Sequence, residues 1–233
     1  MPNHPPSEEV STDLDVLDRL MSERHTCRAY RNTPVPEAQI RSIVAFARKT
    51  ASWCNVQPWH VTIGSVEATE TFRKALMEQA TIAPETDSDL PFPQEYRGIH
   101  GERRRETAYR LHASLGIARE DRERRNGQIF ENFRLFGAPH VAIVTMPADL
   151  GPYAAMDCGA FIASFLLAAH AHGVATTAQG AVARHAKFVR SHFGIGEDRK
   201  MLCAIAFGYA DENHPVNHFR TIRAPAEEIM RLV

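Results

Sequence analysis

A short run rich in cations and hydrogen-bond donors lies near the N-terminus. Arg24, His25, Thr26 and Arg28 fall within five residues, and no acidic side chain interrupts them. Guanidinium groups bind phosphate through paired, charge-assisted hydrogen bonds, so this run could hold a phosphorylated ligand. Taken alone, it also fits a solvated helix end, where cations interact favourably with the helix dipole.

A second run contains both tryptophans of the chain. Residues 52–59 read SWCNVQPW, so two indole rings flank two side-chain amides and a proline. Amides donate and accept hydrogen bonds, which suits polyols and the edges of heterocycles, and indole rings supply stacking surface. A surface turn with buried aromatic side chains is the alternative explanation.

Two further runs follow predicted elements. Residues 176–181 are small and polar, and Gly180 among them could bring a backbone N–H close to a ligand. The C-terminal run 219–225 contains Arg220 and Arg223. When each run is considered separately, a plain strand-to-helix turn and a basic surface tail explain them as well.

The composition restricts the class of protein. The chain has 233 residues, of which 44% are hydrophobic and 24% charged, as in soluble globular domains. Its net charge of −1 provides no overall field for nucleic acid or an anionic membrane. Four scattered cysteines without a C-x-x-C pair are typical of reduced thiols, and the N-terminus lacks the apolar segment of a signal peptide. We therefore expect a cytoplasmic protein with neither a nucleic-acid nor a membrane partner.

Hydrophobic periodicity predicts the elements that must position these runs. Short apolar strands alternate with longer amphipathic helices, which predicts an α+β fold, an α/β sandwich, in a single domain spanning 1–233. The predicted strands are 59–63, 140–146, 174–178 and 201–209. The predicted helices are 10–24, 37–50, 66–80, 153–172 and 182–193. The apolar part of the fourth helix, 159–169, is too short to span a membrane and is interpreted as buried.

Three segments lie outside this regular pattern. Residues 1–10 form a loose N-terminal arm, 84–125 an inserted loop and helical region, and 211–233 a C-terminal tail. Within the inserted region, 97–125 hold nine arginines and five acids, with a break expected near Gly116. Because the two signs are interleaved, the pattern favours a salt-bridged, solvated face over a phosphate-binding one.

Taken in this order, the four runs resemble the FMN-dependent nitroreductase family. The first run, with the aromatic Tyr30 after it, is similar to the opening motif of the family. The second run is similar to its Ser-x-x-Asn-x-Gln-Pro-Trp motif, here Ser52, Asn55, Gln57, Pro58 and Trp59. Residues 115–119, 132–139, 208–211 and 215–217 look like the branch that reduces nitrobenzoates and other nitroarenes. The resemblance covers roughly residues 12–230.

The resemblance implies a mixed central sheet flanked by helices, in an intertwined homodimer with FMN sites at the interface. It implies that the tail 211–233 reaches the partner subunit. The implied FMN-phosphate ligands are Arg24, His25, Thr26, Arg223 and, more weakly, Arg220. Arg28 would lie by the pyrimidine edge of the flavin and tune it, and Gln179 and Gly180 would lie near N5 and O4. The motif with Ser52, Trp53, Asn55 and Gln57 would come from the other subunit.

The implied activity is reduction of small nitroaromatic compounds, or of quinones, by NADH or NADPH. FMN would carry the hydride in ping-pong turnover, so neither a catalytic side chain nor a metal is assigned. A Rossmann nicotinamide site is not expected, because no Gly-x-Gly-x-x-Gly follows a predicted strand. The alternatives are another flavin reaction of the same superfamily, such as dehalogenation or enone reduction, and a non-catalytic flavin-binding sensor.

Overall fold

A four-stranded sheet forms the centre of the structure, a computed structural model that describes residues 11–83 and 87–233. Its strands are β1 (His60–Ile63), β2 (His140–Pro147), β3 (Ala175–Gln179) and β4 (Arg199–Gly208). Their spatial order is β1-β2-β4-β3, and every neighbouring pair is antiparallel. A sheet with both parallel and antiparallel pairing was expected. Among the described residues, the one parallel pairing is the isolated bridge between Thr26 and Thr176.

Eight α-helices surround this sheet within the described ranges. They are α1 (Asp13–Glu23), α2 (Glu37–Ala47), α3 (Val66–Ile82), α4 (Gly98–Ser114), α5 (Arg122–Phe130), α6 (Pro152–Ala171), α7 (Ala186–Phe193) and α8 (Ala226–Ile229). The predicted α+β sandwich is confirmed. The predicted helix 182–193 instead starts as a 3-10 turn, Gly180–His185, before α7 begins. The predicted N-terminal arm, 1–10, lies outside the described residues.

The sheet separates two apolar cores because successive side chains of its strands point to opposite faces. On one face, Val141 and Ile143 of β2 pack with Phe72 of α3 and with α7. On the other face, Val144 packs with Phe165 of α6 and with α2. Burial on both faces explains why β2 is one continuous apolar run in the sequence.

Helix α6 is buried on one side only. Phe161 and Phe165 face the sheet, whereas Tyr153 and Met156 on the outer side are 60% and 68% exposed. The apolar stretch 159–169 thus packs in the core through Phe161 and Phe165, as predicted, whereas nothing in the described part of one chain covers the outer face of α6. By length and composition α6 could cross a membrane, but its inner face packs in the core of the sandwich, as in a soluble protein.

The first helix ends where the cationic run begins. Thr12 and Asp15 form a capping box at its start, with Asp15 N–H donating to Thr12 Oγ1 at 3.2 Å. Arg24 is the C-cap residue with extended backbone angles, and the chain continues without a helix to Tyr30. The cationic run is thus an extended segment that leaves a helix end, as the sequence predicted.

Residues 84–86 of the predicted inserted region lie outside the described residues. The rest, 87–125, forms α4 and the start of α5, separated by a turn in which Gly116 has a φ of 62°. Ion pairs such as Arg110 with Glu106 lie along its surface, as expected. Two guanidinium groups also bind backbone carbonyls. Arg124 donates to the carbonyl of Gly116 at 3.1 Å, and Arg125 donates to that of Arg119 at 2.8 Å. The arginines of this region therefore also hold the turn between the two helices.

Candidate functional site

The cationic run lines a pocket of about 600 Å³ at the end of α1. Two arginines of the C-terminal tail complete the same wall, although they lie almost two hundred positions away in sequence. The cationic and hydroxyl side chains of the lining are Ser22, Arg24, His25, Thr26, Arg28, Arg220, Thr221 and Arg223. Among the described residues no carboxylate lines this pocket. Such a set of side chains fits a phosphate group.

Asn217 ties the tail to the cationic run. Its Oδ1 accepts the backbone N–H of Arg28 at 2.8 Å, and its Nδ2 donates to the carbonyl of Ala29 at 2.8 Å and to that of Asp211 at 2.9 Å. The side chain is buried, so these bonds are shielded from water. Asn217 belongs to the run 215–217, but its local sequence carries no signal that the side chain binds the backbone near Arg28.

Like charges are concentrated in this pocket. Burial lowers the pKa of the Arg24 guanidinium, and the charge of Arg223 lowers it further. Burial likewise lowers the pKa of His25. The charges of Arg220 and Arg24 lower it further, because they disfavour a protonated imidazole. His25 Nδ1 lies 2.9 Å from the carbonyl oxygen of Glu23, a contact that orients the ring. An anion would relieve this repulsion, which is the electrostatic reason that the pocket suits a phosphate.

Arg28 has a different position from the other arginines. It lines both the 600 Å³ pocket and a second pocket of about 310 Å³, bordered by Leu115, Ile117 and Val216. Burial lowers the pKa of its guanidinium, which lies 5.9 Å from the centre of the Phe219 ring. Arg28 therefore stands between the phosphate-type pocket and the inserted helices, where it can contact another part of a bound ligand.

The end of β3 lies close to the cationic run. Thr177 Oγ1 donates to the carbonyl of Cys27 and lies 2.8 Å from the Tyr30 hydroxyl, which also bonds the carbonyl of Ala206 at 3.1 Å. Gln179 follows Thr177 by two residues, so their Cα atoms are at most about 7 Å apart. Tyr30 thus connects the run to two strands, and this places the Gln179 turn beside it.

Gln179 is buried and has an unused acceptor. Its Nε2 donates to the carbonyl of Asn132 at 2.7 Å, whereas its Oε1 has no partner among the described residues. Gly180 after it is exposed at the start of the 3-10 turn. A buried acceptor without a partner beside an open backbone turn is suited to a donor from a ligand or water.

The segment that receives the Gln179 hydrogen bond contains a strained turn. Leu135, Phe136 and Gly137 have successive positive φ angles of 54°, 52° and 78°. Bulky residues rarely adopt this conformation, and such strain concentrates at functional sites. Arg73 of α3 holds the turn, since its Nε donates to the carbonyl of Arg134 at 2.8 Å. No sequence pattern links Arg73 to a turn about sixty residues away, so only the structure reveals this positioning role.

The tryptophan-containing loop lies elsewhere on the same chain. Trp53 N–H donates to Asp157 Oδ2 at 3.1 Å, and its ring meets Tyr153 edge-on at 4.5 Å, so the loop is attached to α6. None of Ser52, Trp53, Asn55 and Gln57 lines the cationic pocket. One chain therefore assembles the cationic run, the tail arginines and the Gln179 turn, but leaves this loop apart.

The geometry of that loop is nevertheless specific. Cys54, Asn55 and Gln57 have positive φ angles of 50°, 57° and 50°. Internal bonds hold them: Gln57 N–H donates to Ser52 Oγ at 2.9 Å, and Gln57 Nε2 donates to Asn55 Oδ1 at 3.0 Å. An exposed loop in which three residues other than glycine are strained is a candidate binding element.

Comparisons with known proteins agree on one family. The model of the nitroreductase family matches residues 21–209. The chain is 36% identical to the nitroreductase NfnB of Mycolicibacterium smegmatis over 215 residues, which cover 92% of this chain and 91% of the relative. It is 30% identical to the 4-nitrobenzoate reductase of Pseudomonas putida over 216 residues, or 91% of this chain and 93% of the relative.

Solved structures give the same result. The FMN-dependent nitroreductase NfnB from Mycobacterium smegmatis, solved in complex with NADPH, matches with a TM-score of 0.89 and 35% identity. This match covers 94% of this chain and 99% of that structure. The FMN and NADPH-dependent nitroreductase NfnB from Sphigopyxis sp. strain HMH matches with a TM-score of 0.89 and 29% identity over 93% and 98% of the two chains.

Proposed function

The chain belongs to the nitroreductase family, and we propose that it is an FMN-dependent NAD(P)H oxidoreductase that reduces nitroaromatic compounds. One relative is an FMN-dependent nitroreductase solved with NADPH, and another is a 4-nitrobenzoate reductase. The observation that carries the proposal is the cationic pocket, in which no described carboxylate is found, because its charges fit the phosphate of FMN.

The side chains of this pocket would hold the cofactor by its phosphate. The proposed ligands are Arg24, His25, Thr26, Arg220 and Arg223. Each guanidinium can donate two parallel hydrogen bonds to phosphate oxygens, and the Thr26 hydroxyl can donate one more hydrogen bond. When bound, FMN supplies the group that takes hydride from NAD(P)H and passes it to the nitro compound.

Three other residues would orient the flavin ring. We propose that Arg28 lies at its pyrimidine edge, which its location between two pockets supports. Gln179 and Gly180 would lie near N5 and O4, and the unused Gln179 Oε1 together with the open backbone at Gly180 is consistent with that role. The protein would thus bind and orient the flavin and exclude water around it.

The activity test starts with the purified protein. It should be yellow, or become so with added FMN. Without oxygen, NADPH should reduce the bound FMN once, and continuous NADPH oxidation should require a nitroarene such as 4-nitrobenzoate. Varying both substrates should give the parallel double-reciprocal lines of ping-pong turnover, and the same assay with NADH ranks the two donors. A protein that does not retain FMN contradicts the proposal, as does a flavoprotein that NAD(P)H does not reduce.

We also propose that the active unit is a homodimer in which the loop 52–59 of one protomer completes the FMN site of its partner. The loop is attached to α6 and lies apart from the pocket of its own chain. Exposed apolar side chains surround it: Trp53 is 57% exposed, and Met156 and Tyr153 lie on the outer face of α6. Contiguous apolar surface of this kind is typical of an interface.

The dimer proposal predicts a linked loss of assembly and cofactor. Obligate interfaces usually bury more than about 2,000 Å². Met156→Glu places a charge in the proposed interface, so it should dissociate the protein and release FMN. Ile82→Glu, which adds the same charge to an exposed residue of α3, should do neither. Light scattering and the ratio of flavin to protein after gel filtration measure both properties. A wild-type monomer that keeps stoichiometric FMN would contradict the proposal.

Arg28 is expected to affect the potential of FMN more than its affinity. A guanidinium near the flavin favours the reduced, negatively charged form of the cofactor. If the two charges are about 4 Å apart and the dielectric constant is about 20, this attraction is at most ~4 kcal/mol. For a two-electron couple this corresponds to about 90 mV, and solvent compensates in part. Arg28→Leu should therefore lower the midpoint potential by tens of millivolts. Redox titration of FMN-saturated protein measures it, and an unchanged midpoint would remove Arg28 from the flavin edge.

The cellular location is a further proposal. All four cysteines are free thiols, and three of them, Cys27, Cys158 and Cys203, are buried. Burial raises the pKa of Cys158 to about 11 and that of Cys203 to about 12, so both stay protonated and unreactive at neutral pH. Such thiols are typical of a reducing compartment, which supports the cytoplasm.

A further inference from the structure

An aromatic ring and a guanidinium lie together beside the Gly180 turn. Phe92 is 43% exposed, and its Cε1 lies 3.9 Å from the position that a Cβ on Gly180 would take. The Cζ of Arg184, on the 3-10 turn that begins at Gly180, lies 5.9 Å from the centre of the Phe92 ring. The Phe92 ring of the inserted region therefore lies against the Gly180 backbone. The proposed function places this backbone at the reacting end of the flavin.

Two aspartates fix the segment that carries Phe92. Asp87 N–H donates to the carbonyl of Arg184 at 2.9 Å, and Asp87 Oδ1 accepts from Lys187 N–H at 3.3 Å. Asp89 pairs with Arg190 and accepts the N–H of Met201 at 2.7 Å. The Asp89 and Arg190 side chains are only 14% and 11% exposed, so this anchor is largely dry. Phe92 follows three residues later and is therefore held near the turn before any ligand arrives.

Arg184 is an exposed cation whose side chain contacts an aromatic face. Within residues 11–83 and 87–233, no carboxylate forms an ion pair with it. The nearby Asp87 carboxylate already accepts a backbone N–H. The guanidinium can therefore receive a carboxylate from outside the chain, and its planar donors fit one by two parallel bonds.

We propose that Phe92 and Arg184 recognise the ring and the anionic substituent of a carboxylated nitroarene, so that this enzyme prefers nitrobenzoates to uncharged nitroarenes. The inference rests on the proposed function, in which Gly180 lies beside the flavin. A nitrobenzoate ring can pack against Phe92 while its carboxylate binds Arg184. In the 4-isomer the nitro group lies at the opposite end of the ring from the carboxylate, so it can face the cofactor while Arg184 holds the other end.

The kinetic test compares 4-nitrobenzoate with 4-nitrobenzamide, its uncharged analogue, in the FMN-loaded enzyme with saturating NADPH. Arg184→Gln should lower kcat/KM for 4-nitrobenzoate about tenfold, mainly by raising KM, because the lost bond holds substrate and transition state alike. The value for 4-nitrobenzamide should change less than about twofold. Arg105→Gln removes an equal charge from an exposed residue of α4 and should change neither. Equal effects of Arg184→Gln on both substrates, or none, would overturn the inference.

A binding test separates this inference from the proposed function. Benzoate and benzamide cannot be reduced, and their binding to oxidised, FMN-loaded protein is followed by the flavin absorbance. Arg184→Gln should weaken benzoate about tenfold and leave benzamide unchanged, whereas Phe92→Leu should weaken both. If turnover of nitroarenes is absent but this binding pattern holds, the proposed function fails and the recognition pair stands. If turnover is present but wild type and Arg184→Gln bind benzoate equally, the recognition pair fails alone.

Discussion

Replacing Arg24 or Arg223 by alanine is expected to weaken FMN binding by roughly 10–150-fold. Each guanidinium provides charge-assisted hydrogen bonds to phosphate, worth about 1.5–3 kcal/mol. Both side chains line the same pocket, in which no described carboxylate is present to compensate for a lost cation. The phosphate is remote from the reacting end of the flavin, so turnover of the FMN-saturated variants should stay close to that of wild type.

The same substitutions should not destabilise the protein without FMN. Burial lowers the pKa of Arg24, and the charge of Arg223 lowers it further, because the two cations repel each other in the free pocket. Removing one of them relieves this repulsion, and the free energy of unfolding of the apoprotein should be unchanged or higher. A fall in FMN affinity without a fall in stability would therefore exclude misfolding as the cause.

Titration of apoprotein with FMN, followed by flavin fluorescence, measures these affinities. Arg19→Ala is the matched control, because Arg19 is an exposed arginine on the neighbouring helix α1 and does not line the pocket. It should bind FMN like wild type. Wild-type affinity in both Arg24→Ala and Arg223→Ala would reject the assignment of the phosphate site.

Asp89→Ala is expected to lower the free energy of unfolding by about 3–5 kcal/mol. The substitution leaves the largely buried Arg190 guanidinium without its partner, and an uncompensated buried charge has a cost of this order. It also removes the acceptor of the Met201 N–H. The carboxylate therefore contributes to stability through two elements of the core, α7 and β4, as well as through the Phe92 segment.

Chemical denaturation of the FMN-loaded protein measures this loss. Glu37→Ala breaks the exposed ion pair with Arg41 and should change stability by less than about 1 kcal/mol. The double variant Asp89→Leu/Arg190→Met removes both charges and should regain most of the stability lost in Asp89→Ala. A single-variant loss no larger than that of Glu37→Ala would show that the Asp89–Arg190 pair contributes little.

Local sequence patterns predicted most elements, and residue type and spacing singled out the runs that are proposed to bind FMN. The continuous apolar runs at β2 and β4 indicated strands, because burial on both faces leaves its mark within a few residues. The runs Arg24 to Arg28 and Ser52 to Trp59 stood out by the types and spacing of their side chains. The helix boundaries were less accurate: the helix predicted to Thr50 ends at Ala47, and the helix predicted from 182 begins as a 3-10 turn.

Long-range positions could not be read from those patterns. Asn217 joins the tail to Arg28, and Arg73 holds the strained turn at Leu135, yet no local pattern indicates either contact. Periodicity predicts that α6 is apolar, but it does not indicate which of its faces the chain covers. Only the packed sheet shows that the outer face stays open and that the Trp53 loop is attached to it.

The sequence by itself determined the family, the α+β class and the set of residues that could bind a phosphate and a flavin. The tertiary structure decided which of them meet: Arg24 and Arg223 share one pocket, Arg28 stands between two, and the Ser52 loop lies apart from both. The physical reason is one of range. Side-chain chemistry and hydrophobic period are properties of neighbouring residues, whereas a binding pocket depends on how strands and helices far apart in the chain pack against each other.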